Sequence, residues 1–169
     1  MKLLKNILAI VFLVLFQVIV MNGIYHTIGV LPCIYIYFLF IIPIRLKPLY
    51  LFILSFAIGL GVDIFTDTLG INALSSLVMS MVYYILTQNL DRSKLERNNI
   101  DAFGAQAIGT IGYIRTMAII TFLHHFLFFT LSDWSSAHFF DTLMVIFISG
   151  ISTVIFMLIF DVLFFKNKI

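Results

Sequence analysis

The chain has 169 residues, of which 62% are hydrophobic and 11% charged, with a mean hydropathy of +1.13 and a formal net charge of +2 at pH 7. A balance this apolar excludes an ordinary soluble domain and predicts a bilayer protein. So small a charge, dispersed in short clusters, excludes a nucleic-acid binder. Runs such as ILAIVFLVLF and TLMVIFISGISTVIFMLIF do not alternate polar and apolar residues as barrel strands do. The expected fold class is therefore an all-α integral membrane protein, a single polytopic domain over residues 1–169.

Six stretches approach the roughly 17–25 apolar residues that a bilayer-crossing helix needs: 7–24, 28–44, 49–65, 69–90, 108–131 and 139–165. Lys2 and Lys5 ahead of the first stretch resemble a secretory leader, but VIVMNGIYH offers no small-residue cleavage pair, so a retained helix is expected. In the short second stretch, Pro32 suits the first helical turn, where its missing N–H does no harm, and Pro43 suits the far end. Arg45 and Lys47 follow that stretch. Arg92, Lys94 and Arg97 lie between the fourth and fifth, Arg115 near the start of the fifth, and Lys166 and Lys168 follow the sixth. With six crossings, all ten Lys and Arg fall on one side, and the positive-inside rule places both termini there, in the cytoplasm. The polar stretch DRSKLERNNIDAFGAQAIGTIGYIR reads as a solvated linker or as one amphipathic turn on the membrane surface.

The third and fourth stretches are joined by GLGVDIFTDTLGINA, the most polar passage at membrane depth. Asp63 falls near a helix C-terminus, where the macrodipole already disfavours a negative charge, and no Lys or Arg lies on that side to pair with it. Ser55, Gly59 and Asp63 share one helical face, and Asn72, Ser76 and Ser80 share one on the next helix. Close approach at these small residues lets Asp63 accept from the Asn72 amide or from the first N–H groups of that helix, with Asp67 or Thr68 as its cap. Such a carboxylate either closes a self-satisfied hairpin or faces a groove or partner. Gln17, on the first helix, is a second groove-lining candidate.

The remaining polar residues assemble no catalytic set. His124 and His125 are adjacent, so their side chains point about 100° apart rather than together as an i, i+4 metal pair would, and one is expected to face inward. The loop LSDWSSAHFFD holds Ser132, Asp133 and His138 but no nucleophile turn, and Trp134 reads as an interfacial anchor. Asp161 is expected to pair with Lys166 or Arg45, or to reach the head-group layer. Cys33, the lone cysteine, forms no internal disulfide. No enzyme activity, metal or cofactor is expected.

Gln17, Pro32, Gly59, Gly61, Asp63, Leu69, Gly70 and Ala73 together form a series that resembles the rod shape-determining protein MreD family. CIYIYFLFIIPI followed by GLGVDIFTDTLGINA is most similar to its Bacteroidota branch. The motif covers residues 17–73, while length and span count agree over nearly the whole chain. Many members carry an acidic residue directly after the proline, where this chain has Cys33. The resemblance implies a non-catalytic inner-membrane scaffold of the cell-elongation machinery. Its partner would be the bitopic protein MreC and, through it, MreB filaments and peptidoglycan synthases; a homodimer is compatible with it. It also implies a six-helix fold similar to the substrate-binding subunits of energy-coupling-factor vitamin transporters. Gln17, Gly59, Asp63, Asp67 and Asn72 would be the partner- or groove-binding residues. The alternative function is small-molecule binding as such a vitamin-transporter subunit, although the bulky first helix ILAIVFLVLFQV lacks the Ala-x-x-x-Ala docking pattern of those proteins.

Overall fold

The computed structural model describes residues 2–132 and 139–164. In chain order the elements are α1 (Lys2–Phe16), a π-helical turn (Gln17–Met21), α2 (Asn22–Ile28), a 3-10 turn (Ile34–Tyr37), α3 (Phe38–Ile41), α4 (Pro48–Thr66), α5 (Ile71–Gln88), α6 (Arg92–Arg97), α7 (Ala105–Ile108), α8 (Thr110–Ser132) and α9 (Phe139–Phe164). Among the described residues there is no strand, only an isolated bridge between Pro43 and Ala102. Among the described residues, five helical rods are long and apolar enough to cross a bilayer: the first runs unbroken from Leu4 to Tyr25, and the others are α4, α5, α8 and most of α9. Asp133, Trp134, His138, Lys166 and Lys168 lie outside the described residues.

The expected second spanning helix is not a helix of that length. Gly29, at φ 70°, ends α2 in the left-handed conformation with its N–H on the Tyr25 carbonyl, and the chain then turns into the bundle. Pro32 sits in an extended stretch rather than in a first turn, because a proline disfavours helical geometry at the residue before it. The β-branched and aromatic run that follows forms only the 3-10 turn and the four residues of α3. Every residue from Leu31 to Ile42 is buried.

This broken segment nevertheless runs from one end of the bundle to the other. Its Leu31 and Cys33 N–H groups donate to the hydroxyls of Ser149 (3.0 Å) and Thr153 (2.9 Å), and further on the Tyr37 hydroxyl donates to Asp161. From Ser149 to Asp161 is twelve residues of α9, about 18 Å. At the far end the Asn6 amide of α1 donates to the Ile41 carbonyl at 3.2 Å. Ser149, Thr153, Met157 and Asp161 recur every fourth residue, forming one buried stripe on an otherwise apolar helix. Irregular backbone is tolerated at membrane depth only inside protein, where each N–H finds an acceptor, and this stripe supplies the acceptors.

The other elements pack around the segment. α1 and α9 lie antiparallel, with Phe12 beside Phe164 and Phe16 beside Phe160. α4 and α5 form a tight hairpin in which a Cβ on Gly59 would stand 2.5 Å from the Asn72 carbonyl oxygen. α8 packs on both α5 and α9. Phe40 of the segment meets Tyr83, Phe103 and Tyr113 at ring separations of 5.9, 5.9 and 5.7 Å.

The stretch after α5 is more than a solvated linker. Leu95, Ile100 and Ala107 are buried together against Ile44, Leu90 and Ile108. The Ile44 N–H donates to the Asp101 carbonyl at 2.8 Å, and Phe103 is inserted into the core. It is a folded cap on the bundle end, joined to the stretch after α3 and to the start of α8. The described lysines and arginines lie at this same end, with Arg45 paired to Glu96 at 3.5 Å.

Two measurements check this account. Ser149→Ala orphans the buried Leu31 N–H and is expected to destabilise the protein by about 1–3 kcal/mol in detergent unfolding, with Ser152→Ala as the milder control. Asp91 caps α6: the Ser93 hydroxyl and the Lys94 backbone N–H hold its carboxyl below the usual range. A depressed folded value means that the cap acts at neutral pH and is lost only as pH falls through that value. Protection of the Ser93 and Lys94 amides from exchange should therefore persist through the ordinary carboxylate midpoint and be lost only below it.

Candidate functional site

Polar residues inside the bundle gather at three depths. The first is the α4–α5 turn. Asp63, only 4% exposed, accepts from the backbone N–H groups of Asn72 (3.0 Å) and Ala73 (2.8 Å), from the Asn72 side-chain amide (3.1 Å) and from the Thr68 hydroxyl. The two backbone donors are the second and third residues of α5, so a carboxylate from the preceding helix caps it. The cap expected from Asp67 does not form. Asp67 is exposed at φ 56°, ends α4, and bonds to nothing in α5, because the turn places Asp63 closer to the helix axis. Thr68 acts indirectly, linking Asp63 to the Asn72 amide, which donates to its hydroxyl at 2.9 Å.

A small cavity of about 80 Å³ lies beside this turn, and its walls include Gln17, Asn22, Leu31, Cys33, Thr66 and Asn72. Gln17 opens the π-helical turn, in which the Asn22 N–H reaches back to the Gln17 carbonyl. The wider turn moves the Gln17 side chain inward, where its amide donates to Asn22 at 3.2 Å while its Oε1 has no partner among the described residues. Of the residues that the sequence singles out, Gln17 and Asn72 thus meet at one cavity. Asp63 stands behind Asn72, Gly59 lies in the seam between α4 and α5, and Asp67 stands apart on the outside.

The second depth is centred on Tyr35. Its hydroxyl lies 3.2 Å from Asn72 Oδ1, 3.0 Å from Ser76 Oγ and 2.5 Å from His124 Nε2. His125 Nε2 lies 2.8 Å from the Thr153 hydroxyl. Both histidines are fully buried, although one was expected outside, because α8 is enclosed by α5, α9 and the broken segment. The Cys33 thiol and one ring nitrogen of each histidine lie within 4.8 Å of one another. Sequence spacing misses this cluster, since the third donor comes from a segment 90 residues away in the chain.

At the third depth, near the other end, the Tyr37 and Tyr113 hydroxyls donate to Asp161, the latter at 3.2 Å. The expected pairing with Arg45 is absent: Arg45 belongs to the exposed loop, whereas Asp161 is 1% exposed and faces the segment. The signal for this site is legible in α9 as the recurrence of Ser149, Thr153 and Asp161 on one face.

Chemically, these centres hold protons and hydrogen bonds in fixed places. Aromatic rings fill the middle of the bundle, where Phe40, Tyr83, Phe103 and Tyr113 meet. A larger apolar groove of about 280 Å³ opens sideways between α1 and α9, where Leu8, Phe12, Ile41 and Phe160 line it.

Asp63→Ala is expected to cost about 2–6 kcal/mol, since two buried backbone N–H groups lose their acceptor at about 1–3 kcal/mol each. Asp67→Gly should be neutral or slightly stabilising, as its backbone is already left-handed. Thermal unfolding in detergent compares the two.

No protein-family model, curated protein or solved structure matches the chain.

Proposed function

We propose that the chain is a non-catalytic scaffold of the cell-elongation machinery in the cytoplasmic membrane, of the MreD kind. In this reading it holds a single-span partner similar to MreC and, through it, MreB filaments and peptidoglycan synthases. The observation that carries the reading is the inward commitment of the polar residues. Asp63 is engaged by Thr68, Asn72 and Ala73 and Asp161 by Tyr37 and Tyr113, while the bundle's flanks expose apolar side chains. The motif series from Gln17 to Ala73 supplies the family. The alternative, a vitamin-binding subunit, finds less support: a cavity of about 80 Å³ falls well short of the roughly 300–1,000 Å³ of small-molecule pockets.

Gly59, Asp63 and Asn72 then serve the interface indirectly, by giving the α4–α5 hairpin a rigid tip. What this tip presents outward is Ile64, Phe65, Asp67 and Leu69, and Leu69 is 95% exposed. The placement of lysines and arginines at the opposite end makes the tip periplasmic under the positive-inside rule, on the side where a single-span partner would carry its folded domain.

Photocrosslinking tests the proposal in cells that co-express the chain with its bitopic partner. A photoreactive residue at Phe65 or Leu69 is expected to capture that partner, and one at the α9 position Ile148 to yield much less. Absence of the adduct from both tip positions, with the chain folded and membrane-inserted, would refute the scaffold assignment.

A further inference from the structure

Hydrogen-bond accounting around the two histidines assigns the tautomer of His125. The Thr153 hydroxyl has one proton, which it donates to the Ser149 carbonyl at 2.7 Å, while its oxygen accepts the Cys33 N–H. Its contact with His125 Nε2 must therefore be a bond donated by the ring. The Asn72 amide nitrogen is committed to Asp63 and Thr68, so Asn72 Oδ1 faces Tyr35 as an acceptor. His124 Nε2 lies 2.5 Å from the Tyr35 oxygen and Ser76 Oγ 3.0 Å from it. The His125 ring carries its proton on Nε2, which leaves a bare lone pair on its Nδ1. Neither Nδ1 has a hydrogen-bond partner among the described residues, and both side chains are fully buried. Unpartnered ring nitrogens are costly at this depth, and one nitrogen of each ring lies within 4.8 Å of the Cys33 thiol.

We infer that Cys33, His124 and His125 form a binding site for a soft monovalent cation, copper(I). Donors no more than 4.8 Å apart put a central ion within about 2.8 Å of each, so contraction by about 0.5–0.8 Å reaches ordinary metal–nitrogen and metal–sulfur lengths. Thiolate with two imidazoles is a soft donor set, and three donors without a fourth suit copper(I) better than tetrahedral zinc. Charge selects the same ion. When the Cu–S bond forms, the Cys33 thiol releases its proton to solvent, so one positive charge replaces another and the buried site stays neutral. Zinc(II) would leave an uncompensated positive charge in a low-dielectric interior.

The surroundings have the features of a built site. Thr153 holds the Cys33 backbone and the His125 ring through a single hydroxyl, and Tyr35 orients His124, as outer partners of metal-bound histidines do. Cys33 also lines the small cavity beside Gln17.

Purified full-length protein in detergent, titrated anaerobically with copper(I) against a chromogenic copper(I) chelator, tests the inference. The expected result is one copper(I) per chain, an X-ray absorption spectrum with one sulfur and two nitrogen neighbours, and a raised thermal midpoint on loading. Cys33→Ser keeps the side-chain size and is expected to abolish stoichiometric binding. Thr153→Ser, which keeps the hydroxyl, should retain it. Gel filtration and circular dichroism establish that the variants fold. Substoichiometric copper(I) on folded wild-type protein, undiminished binding by Cys33→Ser, or retention of zinc(II) in preference to copper(I) would each overturn the assignment.

Discussion

The structure depends on a stretch of non-helical backbone kept at membrane depth. From Gly29 to Tyr37 the chain makes few of its own hydrogen bonds, and each unmet N–H in hydrocarbon would cost several kcal/mol. The remedy is a set of side-chain acceptors from neighbouring helices: Ser149 for Leu31 and Thr153 for Cys33. This need explains why α9, so apolar elsewhere, carries a hydroxyl or carboxylate at Ser149, Thr153 and Asp161, and why α8 and α5 enclose the remaining sides. Burial of Tyr35 and Tyr37 follows from the same constraint, for each aromatic ring fills space while its hydroxyl reaches a polar group on a facing helix.

Asp63 shows how a carboxylate can be buried without a cation. Its ligands are two backbone N–H groups at the start of α5, a side-chain amide and a hydroxyl. The positive end of the α5 dipole takes the part that a lysine would play. The arrangement requires α4 and α5 to approach closely one turn before Asp63, where Gly59 leaves no room for a Cβ against Asn72 and Ala73. Glycine, carboxylate and amide thus form one device.

The sequence was most legible where an element answers to one dominant force. The long rods were visible because their burial in lipid is a matter of length and hydropathy, and Asp63 could be matched to Asn72 because the missing counter-charge left few donors. Hydropathy could not distinguish a spanning helix from a buried irregular strand of chain, since the scale weighs side-chain transfer and ignores where backbone hydrogen bonds go; residues 28–44 therefore read as a helix. Arg45 read as the partner of Asp161 because complementary charge is visible in sequence, whereas two tyrosine donors from other segments are not. The cap around α6 was obscured by its polarity: Leu95, Ile100 and Phe103 are spaced too irregularly to announce a helical face, and they bury one by one. Cys33 gave no signal at all, because its neighbours are set by the depth at which the broken segment passes α8.

The order of the chain adds a last consequence. Residues 29–42 precede α4, α5, α8 and α9, yet every acceptor that shelters Leu31, Cys33, Tyr35 and Tyr37 belongs to α5, α8 or α9. The segment cannot hold its final depth until those helices are in place, because lipid offers its backbone nothing. The long helices, which satisfy their own backbones, can cross first, and the segment takes its position among them afterwards. Assembly of the polar interior is therefore a late, cooperative step in which one strand of chain ties α5, α8 and α9 together, so loss of a single hydroxyl on α9 is felt across the bundle rather than at one bond.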